Sequence, residues 1–361
     1  MTTEFNKPLT DKELKVGFKS TLDILQALVV TNNFKRIAAR AGWSIDLVFH
    51  EGDTLVVRER AWKVFEQYSQ AVGPEQLVFW WGGMPSPLTS KHSQNRIAKH
   101  KPSTLENPSG FAMMFRMASG KPKPPEDWEN NAQDFHFYCR IENEEGLRQY
   151  DRQTPGVGSA VSFIRMTLPV SWILSQPAER NVGWLSTRMV ELMQPFWCTA
   201  GWGIVPAVEE RNIDSDGKGQ QYLYPYLQRF PGLNALGSLS MLGPKFNNAM
   251  FSVNWLSFVS DALLDRLGGR EAVRKQIEDS KYLSAGDVGN CLGIRAGGFP
   301  ALGDTERGIE LPAFGEAARL LKPVRVKEML NNFVAPPPAG SSDRDAQRLA
   351  GDAYLGRFDN Y

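Results

Sequence analysis

Cysteine and histidine are scarce in this chain of 361 residues. There are three of the first, Cys139, Cys198 and Cys291, and four of the second, His50, His92, His100 and His136. The cysteines are far apart, odd in number and form no CxxC pair. That excludes a disulfide framework or thiolate zinc site and predicts three reduced, buried thiols. No HExxH motif occurs, and no two histidines share metal-ligand helical spacing. An excess of charge of one sign is missing too: 41 Lys and Arg face 40 Asp and Glu, a net charge of +1. A nucleic-acid partner favours a strongly basic domain, so none is expected, and electrostatic complementarity has to come from local patches. No stretch approaches the roughly 18 apolar residues of a membrane span. The N-terminus lacks a basic segment followed by an apolar one. Together these absences predict a cytoplasmic protein without membrane contact.

The usual catalytic signatures are missing as well. Gly156-Val-Gly158 and Gly201-Trp-Gly203 complete neither a dinucleotide loop nor a phosphate loop. Gly158-Ser159-Ala160 lacks the flanking glycines of a nucleophile elbow and reads as a turn entering a strand. Asp304 and Glu306, beside Arg307, are the best carboxylate pair for acid–base work, but Asp304 reads more simply as a loop cap and its neighbours as solvated or locally paired. No catalytic, cofactor-binding or metal-binding residue is therefore expected.

What is present is a strong pattern of strands and helices. Trp43 to Phe49 alternates like a half-buried strand. A helix follows, with Asp53 as cap, with Val57, Ala61, Val64, Phe65, Tyr68 and Val72 inward and with Arg58, Glu59, Lys63, Glu66 and Gln70 outward; Gly73-Pro74 stops it. Leu77–Trp81 resumes strand character. A similar unit runs from a strand at Val161–Leu168 through a helix marked by Val182, Leu185, Met189, Leu192, Met193 and Phe196 to a strand at Ala200–Val205. Phe135–Ile141 reads as a strand with one polar, solvated face. Residues 84–125 read as loop with a short helix near Phe111–Met117, and Lys91, His92, Arg96, Lys99, His100 and Lys101 as a solvated basic loop. Asn254 is placed as the cap of a helix running to Leu267. Another helix starts at Pro312 and buries Phe314, Ala317, Ala318 and Leu321. The fold class is α+β: two lobes containing strand–helix–strand units, with mixed or antiparallel sheets packed by helices, and an internal duplication left open. The expected division is 1–155, 156–334 and a Pro-rich linker with helical tail at 335–361.

Four stretches carry a resemblance: Leu168-Pro-Val-Ser-Trp172, Tyr224 to Leu233, Val253 to Gly269, and Gly297-Gly-Phe-Pro-Ala-Leu-Gly-Asp304 through Arg307-Gly308. In order and spacing they resemble the type VI secretion immunity family, proteins that neutralise nuclease toxins of the VRR-NUC or related restriction-endonuclease-like kind. The resemblance implies a partner, a cognate nuclease toxin, bound tightly in the compartment that holds the producer's DNA. It supplies no catalytic residues. Complementarity to a positive nuclease cleft then directs attention to two acidic stretches. One holds Glu142, Glu144 and Glu145, preceded by Glu126, Asp127 and Glu129. The other holds Glu209, Glu210, Asp214 and Asp216. Two other readings stay open, an adaptor or chaperone that loads an effector and a hydrolase. Oligomeric state is undetermined.

Overall fold

The computed structural model describes residues 18–31, 35–80, 84–104, 113–125, 128, 131–141, 162–177, 181–208, 219–235, 248–327 and 344–361. Its organising element is the long strand β2 (Ile37–Phe49), which follows helix α1 (Phe18–Ala27) and the short strand β1 (Val29–Thr31). Trp43 to Phe49 has an alternating apolar set, and the strand extends six residues upstream of it. Along one edge β2 pairs first with β1 and then with β7 (Ser162–Leu168); along the other it pairs with β8 (Trp197–Pro206).

Around β2 grows one 11-stranded sheet. Beyond β7 lie β6 (His136–Ile141), β5 (Met113–Ser119), β3 (Leu77–Trp80) and β4 (Ser86–Pro87); beyond β8 lie β9 (Leu256–Ser260), β11 (Cys291–Ala296) and β10 (Leu283–Val288). Every ladder between these strands is antiparallel. The chain is thus α+β, with an antiparallel sheet. The two strand–helix–strand units interleave: β7, the first strand of the second unit, lies beside β2, and β8, its last, lies on β2's other side. The expected boundary at 155/156 falls outside the described residues.

Helices α2 (Leu55–Val72) and α5 (Val182–Met193) cover one face of the sheet. All six inward residues expected of α2 are buried. The cap is Thr54, whose Oγ accepts from the Val57 N–H at 3.3 Å, in place of Asp53. Arg58, placed outward by periodicity, is fully buried because its Nε donates to the Gly52 carbonyl at 2.8 Å, folding the side chain under the helix start. Under these helices Phe65, Phe115 and Phe137 pack edge-to-face or stacked, with centroids 5.0 to 5.9 Å apart. Trp43 meets Trp202 and Trp255 edge-on at 5.3 and 5.6 Å, and its Nε1 donates to Ser186 on α5. Such pairs add to the area they bury.

Four readings are corrected. Residues 91–100 form helix α3 (Lys91–His100), since Ser90 supplies a cap and Ser93 and Ile97 an inward stripe. Residues 113–119 are strand β5, because β3 and β6 pair with both of its edges. Leu256–Ser260 is strand β9, held between β8 and β11, so the helix α7 (Asp261–Leu264) is only one turn long. The polar face of β6 is buried: His136 is 0% and Tyr138 2% exposed.

The C-terminal side behaves as expected for α9 (Pro312–Leu321), with Pro312 in its first turn and Phe314, Ala317, Ala318 and Leu321 buried. The linker 335–342 lies outside the described residues. Helix α10 (Arg344–Leu355) packs back on the body through Tyr354, Leu355 and Phe358, whereas Leu349 points to solvent.

Candidate functional site

Two of the stretches that carried the resemblance, Tyr224 to Leu233 and Gly297 through Gly308, meet in space. Helix α6 (Gly219–Arg229) ends in Phe230-Pro-Gly232, and the loop after β11 runs alongside it. Arg229 joins the two. Its Nε and Nη2 donate to the two oxygens of Asp304 at 3.1 and 3.0 Å, and its Nη1 lies 2.7 Å from Glu306. Asp304 also caps the turn at Thr305–Arg307 by accepting from the Glu306 N–H at 3.1 Å. The Arg229 hydrogen bonds hold the Asp304 carboxyl below the usual carboxylate range. Hence both carboxylates of the best acid–base candidate serve one arginine.

Backbone contacts close the same junction. The Gly232 N–H donates to Leu302 at 2.8 Å, Thr305 Oγ1 donates to Gln228 at 3.2 Å, and Trp202 Nε1 donates to Pro300 at 2.9 Å. A Cβ on Gly232 would sit 2.3 Å from the Ala301 oxygen, so only glycine fits. The tail locks over this junction. Tyr354 Oη accepts from the Ala235 N–H and donates to Leu233, each at 2.9 Å. Arg357 stacks on Tyr354 and Phe358 and donates to Pro231 at 2.8 Å.

The sheet face opposite α2 and α5 carries a buried polar row. Register places Arg116, Tyr138, Arg165, Asp46, Thr199 and Ser257 side by side across six strands. Arg165 Nε donates to Asp46 at 2.7 Å with both residues at most 2% exposed, and Arg116 lies over the Tyr138 ring at 4.3 Å. One row along, burial and the neighbouring Arg116 and Arg165 push the imidazole of His136 down to about 3, so it is neutral. The thiols are buried: burial raises Cys139 and Cys198 and pushes Cys291 up to about 12.

Depressions mark the surface formed by the described residues. A cleft of ≈ 260 Å³ opens where β2, β8 and β9 reach the ends of α2 and α5; there His50 packs on Phe196 at 4.5 Å. A groove of ≈ 310 Å³ is lined by Gln67, Gln70, Trp172, Gln176 and Trp184. His92 and His100 ride on α3, apart from both. Among the described residues, no group of three or more His, Cys, Asp or Glu is arranged to hold a metal ion. No described helix is long and apolar enough to cross a membrane.

The acidic stretches Glu142, Glu144 and Glu145 and Glu209, Glu210, Asp214 and Asp216, like Glu126, Asp127 and Glu129, lie outside the described residues. Their attachment points are described. The first stretch follows β6, which ends at Ile141 beside the Phe49 end of β2; the second follows β8, whose Pro206 pairs with Ala39. Ten residues of strand separate those ends, about 33 Å.

Comparison with known proteins agrees with this architecture. Among solved structures, the Pseudomonas aeruginosa T6SS protein PA0821 aligns with a TM-score of 0.71 at 17% identity, covering 94% of this chain and 90% of that one, a likeness of fold. No curated protein sequence matches. A family model described as type VI immunity for VRR-NUC matches residues 60–348, from within α2 into α10. The chain belongs to that family, TsiV, the type VI immunity proteins for VRR-NUC toxins.

Proposed function

We propose that this protein silences its cognate nuclease by one-to-one binding, without turnover, in the cytoplasm of the producing cell. The family match over residues 60–348 carries the reading. The clamp at Arg229 supports it, since Asp304 and Glu306 are engaged in holding two segments together. The cytoplasm is where the DNA to be protected lies.

Contact with the toxin is assigned to the two acidic stretches, Glu142, Glu144 and Glu145 in one and Glu209, Glu210, Asp214 and Asp216 in the other. Carboxylates there complement a phosphate-binding cleft and speed encounter. Because the strands that precede the two stretches end at opposite ends of β2, each stretch is tested by itself, as Glu144→Lys/Glu145→Lys and Glu209→Lys/Glu210→Lys.

The deciding experiment titrates the purified protein into its cognate VRR-NUC nuclease and follows DNA cleavage. Cleavage should vanish at an equimolar ratio and return when the complex dissociates. Complete inactivation at a small fraction of one equivalent would show a catalyst. A complex that still cuts DNA would favour the adaptor reading.

A further inference from the structure

Helix α3 carries a cationic surface on which two lysines have no carboxylate partner among the described residues. Residues 91–125 hold seven Lys and Arg against one acidic residue, Glu106, in a chain whose totals are 41 and 40. The remainder of the chain is therefore net acidic. Within α3 there is no acidic residue, and Lys91 occupies the first turn, where the helix dipole disfavours a cation. Lys91 and Lys99 are exposed and have no carboxylate partner among the described residues; the neighbouring Lys101 reaches Glu66 at 3.6 Å. His100 registers the same field: burial, then Arg96 and Lys99, push its imidazole below the ordinary value.

The helix is also held in place. Ser90 Oγ accepts from the Ser93 N–H at 3.1 Å, the hydroxyls of Ser86 and Ser93 lie 2.7 Å apart, and Gln94 Nε2 donates to Leu88 at 2.7 Å. A helix backbone fixed in this way loses little freedom on docking, which favours binding.

We propose that α3 docks on a carboxylate-rich surface of the cognate nuclease, an inference that rests on the reading of this protein as an inhibitor that binds. Nucleases that work through divalent ions gather carboxylates to hold them, so such a partner offers compact patches of the required sign. A nucleic acid fits less well. A duplex is a long polyanion, and beyond residues 91–125 this chain is acidic and would repel it.

The test uses the full-length protein with Lys91→Glu/Lys99→Glu and, as an uncharged control of similar size, Lys91→Gln/Lys99→Gln. Association with the purified nuclease is measured at about 50 and about 300 mM salt, between which the screening length falls by about 2.4-fold. Charge reversal should slow association about tenfold or more at low salt, the Gln variant should fall between, and the salt dependence should flatten. Unchanged rates in both variants would overturn the proposal, as would lysine-dependent binding of the wild-type protein to duplex DNA alone. A wild-type protein that leaves the nuclease untouched would instead remove the inhibitor reading, and this inference with it.

Discussion

Arg229 grips Asp304 through two parallel hydrogen bonds of 3.1 and 3.0 Å, across 75 positions of sequence. That pair fastens the exit of α6 to the loop after β11, two of the stretches by which the family is recognised.

The pair sets a pH dependence. Asp304 is held below its unfolded value by Arg229, so the folded state favours the ionised form. Its contribution to stability is present above the unfolded value and is lost as pH falls through the lower, folded one. Acid titration of the melting temperature should show this component in the wild type and lose it in Asp304→Asn. Equal acid sensitivity of the two proteins would remove the assignment.

His136 acts over a different window. Burial brings it to about 3 in the folded protein, whereas an unfolded chain protonates it near 6.5. The unfolded state therefore binds the extra proton, and stability present above pH 6.5 declines as pH falls towards 3, with a limiting slope of about 1.4 kcal/mol per pH unit. Denaturant midpoints between about pH 6.5 and 4.5 should fall in the wild type and stay flatter in His136→Gln.

Gly232 gives a steric test. A methyl group there meets the Ala301 oxygen at 2.3 Å and Leu302 Cα at 2.9 Å, backbone atoms that cannot turn aside. Gly232→Ala should cost about 1–3 kcal/mol by overpacking. Gly298→Ala, whose Cβ would meet nothing within 4 Å, should melt like the wild type.

Much of this fold was legible in sequence where one period dominated. The inward stripe of α2 and the start of α9 at Pro312 follow from helical spacing and from proline's fixed φ. The errors share a cause. Leu256–Ser260 is apolar enough for helix or strand, and the free edges of β8 and β11 decide. His136 and Tyr138 alternate with apolar residues as on a solvated strand, but their face of the sheet is covered. Arg58 looked solvated because spacing says nothing about a long side chain that curls back to a carbonyl. At the site, Asp304 was legible as a loop cap, whereas its partner Arg229 was not, since nothing local links positions 75 apart.

The order of the strands has a consequence for synthesis. β2 begins at residue 37, yet the strand that completes its second edge ends at residue 206. A nascent chain carries the middle of its sheet unpaired on that side until both have left the ribosome, and pairing across such separations is slow. No fragment that stops short of residue 206 holds both edges of β2, and the sheet is complete only once β11, which ends at residue 296, has been made.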